Sequence, residues 1–157
     1  MPRKGISMKK IIIIILGLFF LAGSAMASEL SPKALKAMEM VHKAVAFYNA
    51  NGLDATVKAV NDTKGQFRDG EYYIFIHTFV GINIARGDGN LKRLGSSVLD
   101  DQDSSGKFFV QEMIKKAQEK GSGWVFYMFK HPLTGKIQTK HSYVEKIDGA
   151  IIGCGYF

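Results

Sequence analysis

The segment Trp124-Val125-Phe126-Tyr127-Met128-Phe129 constrains this chain most. Successive side chains of a β-strand point to opposite faces of the sheet. Trp124, Phe126 and Met128 therefore take one face, and Val125, Tyr127 and Phe129 the other. Both sets are apolar, so a sheet holding this strand is expected to be covered on both sides. Four more strands are predicted around it. Residues 71–77 are dense in aromatic and β-branched types, and residues 82–86 form a partner after a turn at Gly81. Residues 136–147 follow the 124–130 strand across the turn His131-Pro132-Leu133-Thr134-Gly135. Asp148-Gly149 is a pair that tolerates the positive φ of a tight hairpin, and it leads into residues 150–156.

Helices supply the covers. Ser31-Pro32 reads as N-cap and first helical residue. Leu35, Met38, Val41, Val45 and Tyr48 then recur at spacings of three and four, which predicts one apolar face ending at Asn51-Gly52. Asp54 can cap a short second helix reaching Val60, and residues 64–70 are rich in turn formers. Residues 87–107 carry Gly, Asp and Ser without apolar periodicity, so they read as a long loop. Phe108, Phe109, Met113, Ile114 and Ala117 predict a helix closing near Lys120-Gly121. The fold class is α+β, an antiparallel five-stranded sheet with helices. The N-terminal helix is expected on one face, and the long loop with the second helix on the other. A loop lying over a sheet can enclose a pocket, and Tyr73, Phe75 and His77 share one face of their strand.

The chain opens with Arg3, Lys4, Lys9 and Lys10, then an apolar run over 11–22, then Ala25-Met26-Ala27. These are the three parts of a secretory signal, and 12 residues is short of the about 20 that span a bilayer. Residues 1–27 are expected to be a cleaved signal peptide and 28–157 one exported, periplasmic domain; an uncleaved N-terminal anchor is the alternative, and Met8 is an alternative start. The net charge of +7 includes four cations in the first ten residues. Past Ala27, 17 cations face 14 acids, so the basic balance falls to +3 and no nucleic-acid partner is expected. Cys154 is the single cysteine, which leaves stability to the core. No G-x-S-x-G, phosphate loop or H-E-x-x-H occurs, so no enzyme is expected. His131 and His141 flank one hairpin, and Asp101, Asp103 and Gly106 match part of a calcium loop; neither completes a metal site, and no metal or cofactor is expected.

Several segments, taken in order, follow a known pattern: Gly65-Gln66-Phe67, Tyr72-Tyr73-Ile74-Phe75, Asp103-Ser104-Ser105-Gly106-Lys107-Phe108-Phe109-Val110, Gly121-Ser122-Gly123-Trp124-Val125-Phe126-Tyr127, His131-Pro132-Leu133-Thr134-Gly135-Lys136, Lys140-His141-Ser142-Tyr143-Val144 and Ile152-Gly153-Cys154-Gly155-Tyr156. The chain resembles the single Cache domain over about residues 41–156. This is the extracytoplasmic sensor module of bacterial chemoreceptors and sensor kinases. The resemblance implies a long N-terminal helix followed by a PAS-like antiparallel sheet. It also implies binding of a small metabolite, often a short carboxylate, over that sheet, with Tyr127, Phe129, Lys140 and Tyr143 lining or approaching the pocket. Many members have a His-Pro-like pair where this chain has Arg86-Gly87. Members usually continue into a membrane helix and signalling domain, whereas this sequence stops at Phe157, so a separate membrane sensor kinase or chemoreceptor is the expected partner.

The candidate ligand-binding set is Tyr73, His77, Arg86, Trp124, Tyr127, Phe129, Lys140 and Tyr143. Lys140 and Arg86 are the candidate carboxylate holders, by point charge and by bidentate fork; as solvated strand-end cations they would have no such role. Tyr73 and Tyr127 join apolar bulk to a hydroxyl, whether in a pocket or in plain core packing. Trp124 and Phe129 suit walls or core, and His77 either a ligand contact or a satisfied core histidine. Lys140 and Tyr143 differ in parity, so a bulge intervenes or only one faces the pocket. Two further readings stand beside the binding module. One is an interaction domain with a vestigial pocket that docks or forms a homodimer through the N-terminal helix; the other is an enzyme of unrecognised type.

Overall fold

The structure is a computed structural model and describes residues 30–157; the expected signal peptide lies outside them. Helix α1 spans Pro32–Asn61. Ser31 is its N-cap, accepting from the Ala34 amide at 3.2 Å, with Pro32 in the first turn. Gly52, at φ 80° and ψ 175°, breaks the helix where the sequence predicted a stop. The chain then forms β1 (Arg68–Asp69), β2 (Tyr72–Thr78) and β3 (Asn83–Arg86). A 3-10 turn at Leu91–Arg93 and helix α2 (Phe109–Lys120) follow. Strands β4 (Ser122–Lys130), β5 (Ile137–Ile147) and β6 (Ala150–Tyr156) complete the fold.

All pairings are antiparallel, and the sheet runs β1-β2-β6-β5-β4, with β3 sharing the β2 edge with β1. The expected α+β arrangement is present with a sixth strand. That strand, β1, has two residues that fold back on Tyr72 and Tyr73 across Gly70, too short for any alternation to show in sequence. The last strand, β6, lies in the middle of the sheet, between β2 and β5.

Two cores lie on opposite sides of this sheet. On one, Ala37, Val41, Ala44 and Val60 of α1 pack on Ile74, Ile76, Tyr143, Ile152 and Cys154. The most deeply buried stripe is Ala34, Ala37, Val41 and Ala44; of the predicted face, Val41 is buried, Met38, Val45 and Tyr48 pack partly buried against the same core, and Leu35 is exposed. The predicted face is thus corrected at its edges: Leu35 leaves it and three alanines join it. On the other side, Val110, Met113, Ile114 and Ala117 of α2 pack on Phe75, Val125, Val144 and Ile151. The double cover expected from the 124–129 pattern is incomplete at one place. Phe126 is 50% exposed, beyond the reach of α1, and packs edge-on against His141 at 4.8 Å.

The outer edge of β4 is closed by side chains. Lys116 Nζ donates to the Trp124 carbonyl and Lys107 Nζ to the Phe126 carbonyl, both at 2.6 Å. The Met128 amide donates to Asp103 Oδ2 at 2.8 Å. Such charges block pairing with another strand. Asp103 Oδ1 also accepts from the Ser105 hydroxyl and from the amides of Ser105 and Lys107, so its carboxylate ties the long loop to β4.

These donors, led by the Ser105 hydroxyl and the Met128 amide, hold the Asp103 carboxyl well below the usual carboxylate range. A depressed folded pKa contributes stability above the unfolded value near 4, lost as pH falls toward the folded one. Asp103→Asn is therefore expected to flatten the acid limb of stability below about pH 4. Denaturant midpoints at stepped pH check this, and an unchanged acid slope would contradict it.

Candidate functional site

The face of the sheet under α2 and the long loop holds a cavity of ≈ 40 Å³. One water needs about 10–15 Å³ of such space, so the cavity suits a few waters or a very small organic molecule. Its floor exists because β6 turns two glycines upward. A Cβ on Gly153 would overlap the Phe75 ring at Cζ and lie 2.6 Å from its Cε2, and one on Gly155 would lie 2.6 Å from Lys140 Cε. The walls are Tyr73, Phe75 and His77 from β2, Tyr127 and Phe129 from β4, and Phe109, Val110 and Met113 from α2. Phe109 stacks flat on Tyr127 at 4.3 Å.

Lys140 sits at the centre of this arrangement and is 1% exposed. Its ammonium donates to Tyr73 Oη at 2.7 Å and lies over the Tyr73 ring at 3.9 Å, with Phe129 and Phe157 rings at 5.2 and 5.5 Å. No carboxylate among the described residues pairs with it. Burial pushes its pKa below the ordinary lysine value. Tyr127 Oη shares a hydrogen bond with Ser142 Oγ at 3.1 Å. Burial raises both the Tyr73 and Tyr127 hydroxyls, which stay protonated.

The other cations of the cavity have their own acids. The Arg86 fork is taken by Asp88, with Nε donating to Oδ1 at 3.0 Å and Nη2 to Oδ2. Burial disfavours both charges, yet the bond between them outweighs it, so Arg86 rises and Asp88 falls. Arg93, at the cavity margin, pairs both oxygens of Asp101 at 2.6 and 3.0 Å. The cavity thus carries one net positive charge when Lys140 is protonated, and Lys140 bears it.

Six of the eight sequence candidates line the cavity: Tyr73, His77, Arg86, Tyr127, Phe129 and Lys140. Trp124 and Tyr143 do not. They pack against each other at 5.3 Å on the α1 side of the sheet, because the β4–β5 register runs without a bulge and keeps opposite parities on opposite faces. Arg86 is present but already bound by Asp88, two residues away in the loop. Sequence reasoning missed Asp88, Arg93, Asp101 and the glycine floor. Gly153 and Gly155 alternate with Cys154 on a strand, which is the one signal that could have marked them. His131 and His141 take separate partners, Glu71 at 3.0 Å and the Phe126 and Tyr156 rings. Cys154 faces α1, and burial pushes its thiol up to about 12, which leaves it inert.

The floor makes a direct prediction. Gly155→Ala places a methyl against Lys140 Cε and within 3.0 Å of the His141 carbonyl oxygen. It should lower stability by about 1–3 kcal/mol through overpacking and displace the ammonium, seen as a lower unfolding midpoint. A midpoint equal to that of the parent protein would show that the floor has slack.

Comparison with known proteins agrees with this geometry. No curated protein matches the chain. Several solved structures share the fold, among them three from chemosensory or chemotaxis proteins. One is described as a carboxylic acid-recognising Cache chemosensory domain (TM-score 0.67, 26% identity, 80% of this chain and 92% of that one). Another is a periplasmic sensor domain of a chemotaxis protein (0.61, 21%, 78% and 88%). The third is a methyl-accepting chemotaxis protein from Vibrio parahaemolyticus (0.63, 17%, 76% and 82%). The family profile described as Cache domain matches residues 24–155. With one sheet, one covering loop and a cavity between them, the chain belongs to the Cache domain family.

Proposed function

We propose that this domain binds a short monocarboxylate in the cavity over the sheet, with Lys140 holding the carboxylate. The observation that carries the reading is the buried Lys140 ammonium with no acid beside it. Burying an unpaired charge is costly, and an anion in the cavity supplies the missing partner. The charge balance favours one carboxylate over two, since Arg86 and Arg93 are already neutralised by Asp88 and Asp101. The cavity volume favours short chains. The ligand class named for the 26%-identical relative supports the same assignment.

The role is sensory rather than catalytic. The domain, cleaved after residue 27 and held in the periplasm, reports occupancy to a separate membrane receptor or kinase. The relation to chemotaxis sensor domains and the signal-like first 27 residues support this. Mass spectrometry of the exported protein tests the cleavage.

The binding reading is tested by thermal shift and calorimetry on residues 28–157 with acetate, propionate, butyrate and succinate. A ligand that binds only the folded state raises the unfolding midpoint. The monocarboxylates should shift it and succinate should not. Lys140→Met should lower affinity by about 10–100-fold, while raising the ligand-free midpoint by removing an unpaired buried charge. Equal affinity in mutant and parent would end the Lys140 assignment.

The lowered Lys140 pKa sets two opposite pH trends. Between its folded and unfolded values the unfolded chain holds more protons, so the Lys140 contribution to ligand-free stability rises with pH. Anion binding needs the ammonium, so affinity falls over the same window. Taken as differences between parent and Lys140→Met at stepped alkaline pH, the two trends should have opposite signs. Parallel trends would contradict the assignment.

A further inference from the structure

Among the described residues, two buried side-chain polar atoms have no hydrogen-bond partner: His77 Nδ1 and Asn83 Oδ1. They are not scattered. His77 and Asn83 are cross-strand neighbours, at the β2–β3 bulge between Ile76 and His77. Bulges re-aim side chains and occur beside binding sites. His77 is 8% exposed and lines the cavity. His77 Nδ1 is itself closed to water, so the ring nitrogen that meets the cavity is Nε2, which makes no hydrogen bond among the described residues and is left for a ligand group.

The geometry gives the cavity two poles. Lys140 Nζ lies 5.9 Å from the Phe75 ring centroid, and the His77 ring lies 4.9 Å from that same centroid, tilted by 32°. Ammonium and imidazole thus flank one phenyl ring. Val98, Val110, Met113 and Phe109, which close the cavity, offer no side-chain hydrogen bond. Burial pushes the His77 pKa down to about 3, so the imidazole is neutral. A neutral imidazole carries one N–H and one lone pair. It can donate to a keto oxygen or accept from a hydroxyl, and it offers no charge to a second carboxylate.

We propose that the cavity reads two groups of its ligand, a carboxylate at Lys140 and a neutral hydroxyl or keto oxygen at His77. This rests on the carboxylate reading above and narrows it to short hydroxy or keto monoacids. His77 is then a specificity residue in contact with the ligand.

Calorimetry on matched acids tests it: propionate against lactate and pyruvate, and butyrate against 3-hydroxybutyrate. In the parent, at least one oxygenated acid should bind about tenfold tighter than its plain counterpart, the scale of one hydrogen bond. His77→Phe should bring that ratio close to one without weakening the plain acid. His77→Gln, which keeps a donor and an acceptor, should retain part of the preference. A parent ratio near one overturns the proposal whether or not His77→Phe folds, and so does a preference that survives in His77→Phe. If the plain acids bind and no ratio appears, only the His77 inference fails. If no acid binds at all, the carboxylate reading fails with it.

Discussion

An ammonium group buried without an acid partner among the described residues organises this domain. Lys140 is shielded by rings of Tyr73, Phe75, Phe129 and Phe157 and keeps one hydrogen bond, to Tyr73. Cation–π contacts offset part of the desolvation cost, and the remainder leaves the site short of a negative charge. Space for the lysine stem comes from Gly155, and space for the Phe75 ring from Gly153. Both glycines lie on the central strand, where any side chain would collide with Phe75 or with Lys140 and Ser142.

The surroundings keep that charge deficit specific. Arg86–Asp88 and Arg93–Asp101 are ion pairs closed by residues of the covering loop, so neither arginine competes for an anion. The same loop is fastened to β4 through Asp103, which accepts four hydrogen bonds. One loop therefore roofs the cavity, neutralises its side cations and blocks the sheet edge. Its lack of apolar periodicity, which in sequence marks only a loop, fits these duties: Val98 supplies an apolar part of the roof, and polar side chains make the ion pairs and the edge contacts.

The fold was largely legible because its signals are local. Ser31-Pro32, Gly52, Asp148-Gly149 and the aromatic strands each act through nearby backbone. Two local readings shifted. The helix face keeps Val41 but takes in the alanines and loses Leu35, because small apolar residues carry little periodic signal, and β1 was too short to read. The site was legible in part. The parity of β2 put Tyr73, Phe75 and His77 on one face, and that holds. Parity alone separated Trp124 from Tyr127 and Tyr143 from Lys140; which of the two faces the roof covers is what the sequence did not show.

The sequence by itself determined five of the six strands, the parity within each, the helix stops and the family to which the chain belongs. Only the tertiary structure decided that β6 inserts between β2 and β5, which brings Lys140 to Tyr73 across 67 positions of sequence. It also decided that Arg86 is spent on Asp88 while Lys140 is not. Whether a cation is paired depends on which acids the folded chain brings within a few ångströms, and charge counts along a sequence carry no such distances.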